Sequence, residues 1–303
     1  MYLMTTHCGF VGIDKGSLVQ VQNSSDPRTL KLSDDSFSQD MISSGPLAGF
    51  RVTRVEQGIA LSRDGRFACA IPGQERIELD RTGVATWETF LPIPDENIGM
   101  FSRAAFDPAA EQARFARRVA ELNAAGQPVK IYPGCGTVPR PGFLNLDIDV
   151  NAPQFLLTNR NDYFIFPFVC KWDIPDNSVD YIYDEDFVEH ISQLMQWQFF
   201  AEAYRVLKPG CFHRVNTPNV IAAMKRHSRF NEGFSGVYTG EEQWGHIAIL
   251  SHFQLKEIAE TIGYSEVIFT TRSCGVSPYA ERDFRPAPDR DDVGGNIYAD
   301  LRK

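Results

Sequence analysis

The sequence predicts an α/β chain in two parts: a mostly parallel sheet covered by helices, preceded by a small β-rich domain. Segments up to about residue 95 alternate polar and apolar side chains at period two, the pattern of half-buried strands. From about residue 100 onward, apolar runs alternate with amphipathic stretches, which implies parallel strands joined by helices. A length of 303 residues accommodates both parts. We therefore expect a β-rich accessory domain over 1–95 and an α/β domain over 100–303.

In the first part, residues 17–22 and 50–55 alternate cleanly. Residues 59–62 and 67–70 flank Arg63-Asp64-Gly65-Arg66, and Asp-Gly is a hairpin turn signal. Residues 76–79 and 85–90 flank a second turn at Asp80-Arg81-Thr82-Gly83. An antiparallel meander is expected, as a small sandwich or open barrel. Residues 23–46, rich in Ser, Asp and Pro, read as a long loop. Leu91-Pro92-Ile93-Pro94-Asp95 reads as a linker, because alternate prolines favour extended backbone.

Asp107 is placed to cap the first convincing helix, and Pro108 suits its first position. Phe115, Val119 and Leu122 form its apolar stripe, and Gly126 ends it. Strands follow at 129–132, 143–149 and 178–183, then a helix over 193–207 stopped by Lys208-Pro209-Gly210. A strand at 211–215, a helix over 253–262 ended by Gly263, and strands at 267–271 and 296–301 complete the set.

Composition narrows the function. A net charge of −9 argues against a broad surface for phosphate backbones, so nucleic acid is not the expected partner. Arg114, Arg117 and Arg118, and likewise Lys225, Arg226 and Arg229, read as solvated helix faces. No apolar run is long enough for a membrane span, and residues 1–7 show no export signal. Six scattered cysteines have neither disulfide-scaffold density nor zinc-like spacing. Free thiols in the cytoplasm are the default expectation, and no metal site is expected.

The chemistry gathers around Gly134-Cys135-Gly136, which follows the strand at 129–132. Glycines at a strand end let the backbone turn and a ligand approach. Asp147, ending the next strand, can accept the hydroxyls of a ribose. Arg140-Pro141-Gly142 stands where a third glycine and a helix would receive a pyrophosphate, so a dinucleotide fits poorly. A nicotinamide oxidoreductase would also need a longer glycine signature and a catalytic tyrosine pair, which are absent.

Further on come Pro175-Asp176-Asn177-Ser178-Val179-Asp180, then Glu189-His190-Ile191, then Ala203-Tyr204-Arg205-Val206-Leu207-Lys208-Pro209-Gly210. With the glycine turn and Asp147, these resemble the class I S-adenosylmethionine-dependent methyltransferases of the small-molecule, lipid and sugar branch. The resemblance covers residues of about 126–302 and implies a Rossmann-like domain with a mostly parallel seven-stranded sheet. It also implies S-adenosyl-L-methionine as cofactor, with Tyr132, Gly134, Cys135 and Gly136 near its methionine part. Asp147 and Ile148 would hold the ribose side, Trp172 and Asp173 the adenine, and Asp184, Glu185 and Phe187 would cover the cofactor where the fourth strand ends. Tyr132 stands where the family usually has an acid, and Phe168-Val169-Cys170-Lys171 lacks the usual adenine-loop acid. The link between Gly136 and the second strand is also short, which makes a helix there doubtful.

For the chemical step, His190 is the leading base candidate and His246 the second, with His213 read as structural. Phe230, Phe234, Tyr238 and Trp244 make an aromatic acceptor lid. The expected acceptor is a small molecule, foremost a hydroxyl of a sugar, nucleotide-sugar or secondary metabolite. A noncatalytic binding module and a protein or N-methyltransferase are the alternatives. The front domain has three open roles: binding a carrier, closing over the acceptor, or making a homodimer contact.

Overall fold

The structure, a computed structural model, describes residues 1–6, 9–37, 39–55, 58–71, 74–101, 106–221, 245–283 and 296–303. It divides into two compact units, Met1–Phe106 with Asp149–Arg160, and Asp107–Ile148 with Asn161–Lys303. Phe230, Phe234, Tyr238 and Trp244 of the expected lid lie outside the described residues, as does the cluster at 225–229. No helix among the described residues is long and apolar enough to cross a membrane.

The first unit is an antiparallel sheet of β1 (Tyr2–Thr5), β2 (Phe10–Asp14), β3 (Ser17–Val21), β4 (Arg51–Val55), β5 (Gly58–Arg63), β6 (Arg66–Cys69), β7 (Glu78–Arg81) and β8 (Phe90–Ile93). The strand order is β3-β2-β1-β8-β5-β6-β7, with β4 also on β5. Leu3, Val11, Phe50, Leu61, Ile77 and Phe90 are among its buried core. Asp64 and Gly65 turn the β5–β6 hairpin at φ of 54° and 74°, as a tight two-residue hairpin loop requires.

Two local expectations change here. Residues 91–93, expected in a linker, belong to β8, where Leu3 lies opposite Pro92 and Met4 opposite Leu91. Alternate prolines enforce extended backbone, and a strand uses that conformation as readily as a linker. Beyond Phe90, which pairs with Ile59 of β5, β8 has its ladder with β1 alone, so proline's missing N–H is tolerated. Residues 85–90, expected as a strand, instead form a 3-10 turn at Thr86–Glu88 before β8. Glu88 accepts from the Ala85 N–H at 2.8 Å and Thr89 Oγ1 donates to the Ala85 carbonyl at 2.9 Å, local bonds that compete with a ladder. The segment Asp149–Arg160, with the short helix α2 (Pro153–Thr158), also groups with this unit.

The second unit begins with α1 (Pro108–Ala124), capped by Asp107, whose side chain accepts from the Ala109 N–H. Its strands are β9 (Lys130–Pro133), β10 (Leu144–Asp147), β11 (Tyr163–Ile165), β12 (Val179–Glu185), β13 (Leu207–Pro218), β14 (Glu266–Phe269) and β15 (Asn296–Arg302). Helices α3 (Gln193–Val206) and α4 (His252–Ile262) complete it. Ser251 and Gln254 form a capping box on α4, and Gly263 ends it in the left-handed region. The Lys208-Pro209-Gly210 segment ends α3 as expected but already lies in β13.

The sheet order is β11-β10-β9-β12-β13-β15-β14. β11, β10, β9, β12 and β13 pair in parallel, and β15 runs antiparallel to β13 and β14. From β9 the chain builds outward through β10 and β11, then returns to the other side of β9 with β12. The gap between β9 and β12 is therefore a topological switch point, where open α/β sheets bind ligands at the carboxyl ends of their strands. The adjoining core includes Phe115 and Trp172, both completely buried, with ring centroids 5.9 Å apart. Phe115→Ala should cost about 3–5 kcal/mol of stability, measured as a lower denaturation midpoint in urea. A loss under about 1 kcal/mol would contradict this packing.

Candidate cofactor and active site

The carboxyl ends of β9, β10 and β12 bring three turns to the same edge of the sheet. After β9, the chain turns through Gly134 and Gly136 at φ of 65° and 53°. A Cβ on Gly134 would come within 2.6–2.8 Å of the Phe187 ring, whereas one on Gly136 would meet nothing within 4 Å. Gly134 thus admits the neighbouring turn, and Gly136 borders open space. Cys135 between them is buried. Burial and then the Asp147 charge push its thiol well above the usual range, so it stays protonated.

Asp147 closes this turn. Its Oδ2 accepts from the Gly136 N–H at 2.9 Å and its Oδ1 from the Ile148 N–H at 2.7 Å. The carboxylate is 5% exposed and the adjacent Ile148 is 48% exposed, so an acid held by backbone donors stands beside an apolar surface. Asn145, two residues earlier on β10, holds the rest of the connection. Its Oδ1 accepts from the Arg140 N–H at 2.7 Å, and its Nδ2 donates to the Arg140 and Phe143 carbonyls at 3.0 and 2.8 Å. No helix forms between β9 and β10, which agrees with the short proline-containing link.

Arg140 folds back against two tyrosines. Its guanidinium lies 4.1 Å from the Tyr183 ring centroid and 5.5 Å from that of Tyr132, cation–π distances. It donates to Tyr183 Oη at 3.0 Å and stands 3.6 Å from Glu185 Oε2. Glu185 also accepts from Tyr183 Oη and from Asn216 Nδ2, each at 2.5 Å. The Tyr132 ring packs edge-on against Tyr183 at 5.1 Å. Burial and then the Glu185 charge raise the Tyr132 phenol well above its ordinary range, so it stays neutral. Tyr132 and Glu185 are thus bound into one buried cluster with Arg140.

Other expected cofactor residues are placed differently. Trp172 is completely buried, with its backbone N–H donating to Glu202 and its indole N–H to the Phe168 carbonyl, at 2.6 and 2.7 Å. Its indole belongs to the core and packs against Phe115. Asp173 beside it is exposed. Asp184 is also completely buried and faces His213, whose Nε2 makes a close contact with Asp184 Oδ2. Burial raises the Asp184 carboxyl above its ordinary range and the His213 bond opposes this. This pair sits inside the fold. Phe187 packs over Gly134 and lies 5.1 Å from both Phe168 and Phe199.

His190 follows β12 in a 3-10 turn, Val188–His190. Its ring stands edge-to-face with His246 at 4.9 Å between centroids, so the two base candidates, distant in sequence, meet in the fold. The sequence reading missed the loop-holding roles of Arg140 and Asn145. Arg140 inside the short link and Asn145 on the strand it leads into were the signal available.

Gly134→Ala and Gly136→Ala each force a side chain into positive φ, at about 1–2 kcal/mol. Only Gly134→Ala also drives a methyl into Phe187. Urea unfolding should therefore show Gly134→Ala as the more damaging of the two, and equal losses would contradict the packing of Phe187 on this turn.

A family model described as methyltransferase domain matches residues 158–214, the stretch from β11 through β12 and α3 into β13. No curated protein matches the chain. Among solved structures, an S-adenosylmethionine-dependent methyltransferase from Archaeoglobus fulgidus is similar at 16% identity and a TM-score of 0.39, over 63% of this chain and 94% of that one. A Haemonchus contortus phosphoethanolamine N-methyltransferase 2, with phosphomonomethylethanolamine and S-adenosylhomocysteine, is similar at 16% identity and a TM-score of 0.36, over 62% and 51% of the two chains. A methyltransferase from Methanosarcina mazei is similar at 13% identity and a TM-score of 0.38, over 57% and 91%. Such partial likenesses carry no acceptor over to this chain. The chain is thus similar to methyltransferase domains over residues 158–214, and the strand-end glycine turn closed by Asp147 precedes that stretch.

Proposed function

We propose that the chain transfers a methyl group from S-adenosylmethionine to a hydroxyl of a small molecule, foremost a sugar, nucleotide-sugar or secondary metabolite. The observation that carries the cofactor half is the open Gly136 turn beside the Asp147 carboxylate. The residues fit the cofactor: a carboxylate accepts from ribose hydroxyls, a glycine leaves room for the amino acid end, and exposed Ile148 offers the adenine an apolar face. When bound, this cofactor supplies an electrophilic methyl on a positively charged sulfur.

The protein's remaining tasks are to align the acceptor and to accept its proton. A hydroxyl needs that proton removed more than an amine does, since a neutral amine already presents a lone pair. The paired imidazoles of His190 and His246 support the hydroxyl reading, because a neutral imidazole nitrogen can accept a proton. Five described cysteines are free, which supports a cytoplasmic setting. The β-rich first unit acts as an accessory domain in this reading, with a carrier contact, acceptor closure or a homodimer contact as its roles.

Two measurements test this. In calorimetry with S-adenosylhomocysteine, Asp147→Asn should weaken binding at least about tenfold, or about 1.4 kcal/mol; unchanged affinity in a folded variant would remove Asp147 from the site. With a panel of nucleotide-sugars followed by mass spectrometry, His190→Ala and His246→Ala should lower kcat by about 10²–10⁴-fold while leaving S-adenosylhomocysteine affinity intact. Methylation of amines alone would replace the hydroxyl reading.

A further inference from the structure

Glu189, His190 and His246 offer one metal-ligating atom each, and these atoms all lie within 4.8 Å of one another. The Glu189 side chain is completely buried and that of His246 is 15% exposed, with Nε2 3.9 Å from Glu189 Oε1. Glu189 adjoins His190 in sequence but lies far along the chain from His246.

The frame around the three is well tied. The Glu189 carbonyl accepts from the Ile247 and Ala248 N–H groups at 2.7 and 3.1 Å, which fixes the His246 segment against the turn after β12. Gln196 Nε2 reinforces the junction by donating to the Val188 and Ala248 carbonyls, each at 2.7 Å. Thr217 Oγ1 donates to Glu189 Oε2 at 2.9 Å and orients the carboxylate. His190 Nδ1 lies 3.2 Å from the Gly245 carbonyl. A carbonyl only accepts, so this bond puts the ring proton on Nδ1 and leaves the lone pair on Nε2. A backbone carbonyl fixing an imidazole in this way is the usual outer support of a metal-ligating histidine.

We propose that Glu189, His190 and His246 bind a divalent transition-metal ion of the zinc or iron(II) class. One carboxylate and two imidazoles suit such ions better than magnesium or calcium, which prefer oxygen donors throughout. Bonds of about 2.0–2.2 Å hold neighbouring ligand atoms about 3.0–3.5 Å apart. The present spread is wider than this, and the two imidazoles that would have to close it are only partly buried. Three protein ligands leave coordination positions for water or for an oxygen of the acceptor.

The catalytic consequence rests on the methyltransferase reading; the metal binding does not. A hydroxyl bound to the ion loses its proton to water more readily. Its oxygen then forms the bond to the methyl carbon as the sulfur–carbon bond breaks, and the sulfonium becomes a neutral thioether. With the ion bound, this replaces the direct base role of the histidines in the proposed function: they act on the acceptor through the ion.

The test uses the full chain, freed of metal with a chelator and titrated with Co²⁺ as an optical probe. The expected result is one equivalent bound, with visible ligand-field absorption that Zn²⁺ abolishes by displacement. His190→Ala and His246→Ala should each weaken Co²⁺ binding by about 100-fold or more, taking loss of a direct ligand to cost at least as much as loss of its outer support. Glu189→Gln should do the same, but its burial puts folding at risk, so the two histidine variants carry the test, with thermal melts as the folding control. Absence of stoichiometric binding, or equal binding by the folded histidine variants, would overturn the proposal and leave the cluster as a hydrogen-bonded brace. S-adenosylhomocysteine affinity is measured on the same metal-free samples. Cofactor binding without metal binding removes only the metal site, and metal binding without cofactor binding removes only the methyltransferase reading.

Discussion

The bond from the Gly136 N–H to Asp147 Oδ2 ties the turn after β9 to the end of β10. The connection between these strands is too short to carry a helix, so its shape has to come from side chains of the strand it leads into. Residues two apart on a strand project to the same face, and Asn145 and Asp147 use that face to hold the connection twice. Asn145 fixes its far half through Arg140 and Phe143, and Asp147 fixes its near half. In the proposed reading the same carboxylate that organises the turn also meets the ribose, so loop stability and cofactor affinity would depend on one side chain.

Arg140 is the consequence of that short link. Held by Asn145 at its backbone, it places its guanidinium over Tyr183 and Tyr132 and close to Glu185. A charge buried in this way is tolerated only with acceptors around it, and Glu185, with Asn216 behind it, answers that need. The phenol of Tyr132 is part of this cluster. Charge on this side of the switch point is thus balanced internally. Asp147 and the turn after β12 are left as the polar groups at the strand ends.

Much of the fold was legible because local chemistry and global topology agree. Asp107-Pro108 at the start of α1, Ser251 and Gly263 around α4, and Asp64-Gly65 in the β5–β6 hairpin each mark a boundary through one identifiable backbone requirement. The failures were places where one local signal serves two structures. Pro92 and Pro94 dictate extended backbone, which fits a linker and fits β8 equally. β11 is three residues long and shows too little alternation to read. The places of Gly136 and Asp147 beside the ends of β9 and β10 were readable because strand ends can be located from sequence. The packing of Trp172 on Phe115 and of Asp184 on His213 was not readable, because which way a side chain points depends on partners that only the packed fold supplies. The meeting of Glu189 with His246 was hidden for the same reason, since His246 arrives from beyond residues 222–244 of the chain.

The central claim is that the β9 turn and the end of β10 form one cofactor cradle. A crystal structure of the chain with S-adenosylhomocysteine tests it most directly. The account predicts both ribose hydroxyls within hydrogen-bonding distance of Asp147, the amino acid end over Gly136, and the adenine against Ile148. A ligand bound elsewhere, with Asp147 contacting only the Gly136 turn, would contradict it.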